Sequence, residues 1–175
     1  MFKKKFLSLS TKTFLKKNKI ARRTIRYVKA KNIGVIYSVE DKTKHHAVKL
    51  FVKELKDEGK DVQVISFMGK GKENYEFLFD FITLNDVSFW GKLKSNSALQ
   101  FASTEFDYLF NIDKDRNQLV ENIMARCKAK CRIGVYSKDN GEFYELMINI
   151  KSMENTDEII RTMHHYAKKI GGNGK

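Results

Sequence analysis

The side chains here that could do chemistry are four aspartates, a glycine–lysine loop, two cysteines and two histidine pairs. Asp41, Asp107, Asp113 and Asp115 fall near predicted strand ends or turns, where a pair of carboxylates could share acid–base work. Aspartate in such places more often caps a helix or holds a turn. Asp113 and Asp115, just ahead of a helix expected from Asn117, read as capping residues. Gly69-Lys70-Gly71-Lys72 could cradle a phosphate. It lacks the P-loop spacing, and no G-x-G-x-x-G turn follows the first predicted strand, so a dinucleotide has no evident seat. An ordinary mobile connection is the competing reading of this loop. Together with Asp41 it forms the candidate small-ligand loop.

Cys127 and Cys131 stand four apart in what reads as a helix and would share a face. A disulfide framework or zinc site needs more ligands at tighter spacing, so two core or semi-buried thiols are expected. His45-His46 and His164-His165 are neighbours that would point about 100° apart on a helix, so neither pair chelates alone and no metal is expected. No serine sits in a nucleophile elbow and no Cys–His arrangement is legible, so no catalytic residue and no cofactor is assigned. Trp90, with Lys92 and Lys94, could offer a base a stacking platform; a half-buried strand aromatic is the competing reading.

The distribution of charge carries more information than any of these motifs. The chain has 175 residues and a net charge of +13. Of its 34 bases, twelve lie in residues 1–32, where there is no acid; the first acid is Glu40. Residues 33–175 are left with 22 bases against 21 acids. A cationic arm, 1–32, therefore precedes a nearly neutral domain, 33–175. The arm has no Gly or Pro over 11–31, and helix formers dominate. Helical spacing puts Phe14, Asn18, Ala21, Ile25 and Val28 on one face and Lys12, Lys16, Lys19, Arg23 and Arg26 on the other.

With 42% hydrophobic and 31% charged residues the chain is a folded, soluble protein and not a disordered one. No apolar run is long enough to cross a bilayer. Residues 1–7 faintly imitate a signal peptide, but Lys12, Lys16 and Lys17 interrupt the apolar stretch and no cleavage site follows, so a cytoplasmic protein is expected.

Behind the arm, strands are expected at 33–38, 62–67, 87–90, 106–112, 132–136 and 144–148. Helices are expected through Ala47 to Leu55, over 117–130 and over 155–170, the last ending at Gly171-Gly172. This alternation predicts an α/β fold: an open, mostly parallel, Rossmann-like sheet with helices on both faces, preceded by the basic helix. Ligands of such sheets bind at the carboxyl ends of the strands.

Two stretches carry a resemblance. Residues 106–113, then a helix and Ala129-Lys130-Cys131-Arg132-Ile133-Gly134-Val135-Tyr136, resemble the amino-terminal Rossmann-like half of heptosyltransferases of the GT-B type. The opening unit, Ser38 to Asp41, a helix, Gly59 and the strand at 62–67, also fits, so the resemblance covers 33–150. It implies Asp41 as a base in a sugar-nucleotide enzyme. The family's Gly-Asp is here Glu40-Asp41, the proline after it is missing, and the second half that carries most cosubstrate contacts does not follow. The chain is also similar to small bacterial proteins of unknown function with the same basic start.

The expectation is a non-catalytic protein docking on RNA, in a ribosome or another ribonucleoprotein particle, with no cofactor. Its phosphate contacts would be Lys12, Lys16, Lys19, Arg22, Arg23, Arg26 and Lys29. The alternatives are a glycosyltransferase-like half-domain held on an anionic membrane surface, and a subunit whose arm threads into a protein partner.

Overall fold

The computed structural model describes residues 2–73, 75–150, 153 and 155–170. Helix α1 (Phe2–Lys17) comes first. Strand β1 (Asn32–Val39), helix α2 (Lys42–Asp57) and strand β2 (Asp61–Met68) form the first βαβ unit. Strand β3 (Asp80–Ile82), helix α3 (Asn96–Ser103), strand β4 (Tyr108–Asn111), helix α4 (Gln118–Arg126), strands β5 (Cys131–Val135) and β6 (Leu146–Ile148) and helix α5 (Thr156–Lys169) complete the order. All six strands are parallel, in the order β3-β2-β1-β4-β5-β6. This is the doubly wound arrangement, and its direction reverses between β1 and β4. The expected fold class is the observed one.

The two faces follow from the two-residue period of the strands. Ile33, Val35 and Tyr37 of β1, with Tyr108 and Phe110 of β4, pack against Phe51 and Leu55 of α2 and Met163 of α5. Ile36 and Leu109 face the other way, onto Phe101 of α3 and Leu119, Ile123 and Met124 of α4. Both central strands are covered on both sides, so they are near-continuous apolar runs. The starts of the other four helices take polar caps: Asp41 for α2, Ser95 for α3, Asn117 for α4 and Asn155 for α5.

Four expectations change. The third strand is Asp80–Ile82, which pairs with Ile65, Ser66 and Phe67; residues 87–90 instead enter a tight turn closed by the antiparallel bridge Val87–Leu93. Helix α3 was not expected, because its eight residues are too short to show a period. Helix α4 stops at Arg126, so Cys127 is its C-cap and Cys131 opens β5. The two cysteines share no helix face, although both are buried free thiols. The Gly171-Gly172 stop lies outside the described residues.

The fourth change concerns the arm, whose helix is Phe2–Lys17 and not 11–31. Its inner face is buried Leu7 and Thr11 with half-buried Phe14, continued past the helix end by half-buried Asn18, a spacing that sets it on α4. The Thr11 hydroxyl accepts from Asn122 at 2.9 Å, and the Phe14 ring lies 3.8 Å from the Arg126 guanidinium. Asn18 donates to the Ala125 and Cys127 carbonyls at 3.0 and 2.9 Å, closing the end of α4. From there the chain runs extended along the amino edge of the sheet, where Arg23 N–H donates to Lys130 at 3.0 Å. It reaches the opposite face at Tyr27, 5% exposed beside His164 of α5. The arm does not stand apart: it clasps the sheet from one face to the other. Contacts with α4 override the helix propensity of 18–31, and Val28, expected on the apolar face, is 81% exposed.

Candidate functional site

The ligand position of a doubly wound sheet is the crevice between the carboxyl ends of β1 and β4. Here Lys44, in the first turn of α2, and Asp113, two residues past β4, meet in it. Lys44 Nζ lies 2.8 Å from Asp113 Oδ1 and 2.6 Å from Glu40 Oε1. The Asp113 carboxylate accepts from Ser38 N and Ser38 Oγ, both at 2.6 Å. Asn117 Nδ2 donates to the same Ser38 hydroxyl at 3.1 Å. Asn111 Oδ1 accepts from Asp113 N–H at 3.1 Å, and its amide donates to the Tyr144 hydroxyl at 2.7 Å. The Tyr144 ring lies over Gly134, where any Cβ would collide with it.

Burial disfavours the charged form of Lys44, but the Asp113 and Glu40 carboxylates outweigh it and hold the amine above the ordinary lysine value. Burial pushes the Tyr144 hydroxyl up to about 12. The buried polar groups thus satisfy one another. An open hollow of about 320 Å³ remains beside them, lined by Glu40, Asp41, Thr43, Lys44, Lys114 and Asn155 among others.

The aspartates separate. Asp41 caps α2, accepting from Lys44 N–H at 2.7 Å. Asp113 does not cap α4: Asn117 does, accepting from Leu119 N–H at 2.9 Å, so the carboxylate is free for Lys44. Asp115 is exposed. Asp107 lies at the other edge, accepting from Lys31 N–H and Lys130 Nζ, each at 2.7 Å. These donors outweigh burial and hold its carboxyl below the usual aspartate value. The Gly69-Lys70-Gly71-Lys72 loop does approach Asp41, for Lys72 Nζ donates to the Glu40 carbonyl at 2.6 Å. Its other lysine, Lys70, points to solvent. Sequence reading missed Lys44, Ser38 and Tyr144, which carry no motif; Ser38 and Lys44 lie far from Asp113 and Tyr144 along the chain.

The histidine pairs split across their helices. His45 and His164 are buried, whereas His46 and His165 are exposed. Among the described residues, one group has metal-ligand geometry: Glu54 of α2 and its C-cap Glu58 with His164 of α5. Lys168 already occupies its centre of charge, 2.6 Å from Glu58 and 3.8 Å from Glu54, and the Tyr27 hydroxyl bonds Glu58 at 2.9 Å and His164 Nε2 at 2.7 Å. This cluster is the clasp that holds the far end of the arm.

The expected phosphate contacts also divide. Lys12, Lys16, Lys19, Arg23, Arg26 and Lys29 are exposed, and α1 adds Lys4, Lys5 and Lys17. Arg22 is the exception. It is half-buried and donates to the Ala129 carbonyl and, at 3.1 Å, to the Cys127 carbonyl, with Glu145 3.9 Å away. Its role is to fasten the arm.

The fold and its filled crevice define an α/β doubly wound domain clasped by a basic amino-terminal segment. The chain belongs to a family of unknown function (DUF6913), whose profile matches residues 3–170. No curated protein and no solved structure matches it. The comparisons therefore bear out the likeness to proteins of unknown function and do not confirm the one to heptosyltransferases. Among the described residues, no helix is long and apolar enough to cross a membrane.

Proposed function

We propose that this protein docks on RNA, in a ribosome or another ribonucleoprotein particle, through the outer face of α1. The observation that carries the reading is the way this helix is divided. Leu7, Thr11 and Phe14 are spent on α4, which leaves Lys5, Lys12, Lys16 and Lys17 outward on a helix with six lysines and no acid. Lys4 and Lys5 also lie at the positive end of the helix dipole, where cations are unfavourable. A helix built only to cover α4 gains nothing from such a face, whereas a row of phosphates neutralises it.

The division also bears on the bilayer alternative. A basic amphipathic helix binds a membrane by burying its apolar face among the lipids. The apolar face of α1 already lies in the protein core, and among the described residues its outer face offers one large exposed apolar side chain, Leu9. Phosphate contact needs only the lysines.

The test is retention on ribosomes and on free RNA at two salt concentrations, comparing the wild type with Lys5→Gln/Lys12→Gln/Lys16→Gln/Lys17→Gln. Truncating the arm would uncover α4, so substitution is the cleaner perturbation. Wild-type binding should weaken with salt at a log–log slope of about −0.7 to −0.9 per phosphate engaged, and the variant should show a shallower slope. Equal retention of both proteins would refute the reading.

A further inference from the structure

We infer that Phe6, Phe89 and Trp90 form a stacking platform for an unpaired base, which makes single-stranded RNA the ligand; this rests on the reading of α1 as an RNA-docking helix. The turn at 88–92 stands on two buried side chains, Val87 and Leu93, and closes by Ser88 N–H donating to the Lys92 carbonyl at 2.8 Å. Gly91 has φ +75°, and a Cβ there would lie 2.7 Å from the Phe6 backbone, so only glycine lets the turn press on α1. The contact sets Phe6 edge-on to Trp90, centroids 5.2 Å apart, and 5.9 Å from Phe89. Phe89 and Trp90 meet at 90° and 5.3 Å.

The rings are fixed, yet Trp90 is 71% exposed and Phe89 57%. Their packing on Phe6 and on each other explains their rigidity, but not why most of each ring is left to solvent. The surrounding charge indicates what covers them. Lys92 on the turn and Lys94 just past it are exposed, and Lys4 and Lys5 precede Phe6 on α1. The nearest acid in sequence, Asp86, is occupied by Thr83 N–H at 2.7 Å and Thr83 Oγ1 at 2.9 Å. Exposed aromatic rings with exposed lysines next to them along both segments suit a partner that is planar, apolar and anionic at once, and an unpaired nucleotide is all three. In a duplex the base faces are already stacked, and only the phosphates remain for the lysines.

Trp90 is the single tryptophan of the chain, so its emission reports on this platform. The full-length protein is titrated with single-stranded RNA, with duplex RNA of equal length and with phosphatidylserine-containing vesicles. Anisotropy of labelled RNA gives affinities for Trp90→Ala, Trp90→Tyr and the four-lysine variant. The expected result is quenching by the single strand and not by the duplex. Trp90→Ala should weaken single-strand binding roughly tenfold and duplex binding less than about twofold, with Trp90→Tyr near wild type. The lysine variant should lose affinity for both RNAs. Equal loss on both RNAs in Trp90→Ala, or unchanged single-strand affinity, overturns the platform while leaving the docking helix standing if the lysine variant still weakens. A blue shift with vesicles and no response to either RNA overturns both.

Discussion

At the carboxyl edge of the sheet, Lys44 and Asp113 are each 3% exposed or less at the side chain, and Asp113 is bonded by Lys44 and by both polar groups of Ser38, whose hydroxyl is in turn bonded by Asn117. On the outer face of α1, Lys5, Lys12, Lys16 and Lys17 face solvent on a helix without an acid, beside two largely exposed aromatic rings. The first region occupies the place where doubly wound folds bind ligands, yet its chemistry is turned inward. The second lies where the fold has no conventional site, and its chemistry is turned outward. Position in a fold therefore says less about function than whether the polar and aromatic groups there are already satisfied.

The contrast is broken most sharply at the inward site. Asp113→Ala leaves the Lys44 amine buried beside only Glu40, and should destabilise by about 3–5 kcal/mol in urea unfolding. Lys44→Met with Asp113→Leu removes both charges together and should recover most of that loss. A ligand-binding role would instead leave stability nearly unchanged when Asp113 is removed.

The inner face of α1 comes next. Leu7 is 2% exposed between α1 and α4, and Leu7→Ala should cost roughly 3 kcal/mol by the cavity it opens. Two-state unfolding that coincides by helix and tertiary probes would show α1 belongs to the same cooperative unit as the sheet. An early transition confined to helix signal would show that the clasp opens alone.

A smaller effect should follow pH. Burial, then the charge of Lys168, holds His164 below its ordinary value of 6.5, although Glu58 and Glu54 pull the other way. Burial also lowers His45, which bonds the Tyr37 hydroxyl at 2.8 Å. Both rings take up protons more readily in the unfolded chain. Stability is therefore full above about pH 6.5 and falls as pH drops through the depressed folded values, by at most about 1.4 kcal/mol per pH unit for each histidine. His164→Gln should flatten about half of that slope between pH 7.5 and 5.5, measured by urea midpoints.

The sheet was legible because buried parallel strands are short apolar runs between turn residues, as at Ile33 to Tyr37 and Val62 to Phe67. Strand β3 was not, since Asp80, Phe81 and Ile82 carry no alternation and only β2 selects them. The arm misled for a similar reason. Residues 18–31 read as a helix by propensity, but Asn18 and Arg22 find better partners in the carbonyls at the end of α4. The cationic character of the arm needed only counting. The Lys44–Asp113 pair joins residues 69 apart in sequence, and no local pattern marks it. Trp90 could be named as a stacking residue from its lysine neighbours, but its exposure depends on Gly91 meeting α1, which only the fold reveals.

The smallest expected change in stability tests the outward face. Lys12→Gln with Lys16→Gln removes two exposed charges that enter no ion pair among the described residues. Such surface changes usually stay within about 0.5 kcal/mol, and relief of repulsion along α1 favours the stabilising sign. The same pair should reduce the salt slope of RNA binding by about one to two phosphates. Asp113→Ala should do the reverse, lowering stability steeply while leaving the salt slope of its folded fraction untouched. If the two lysines carried the fold and Asp113 carried the binding, the roles assigned to the two regions would have to be exchanged.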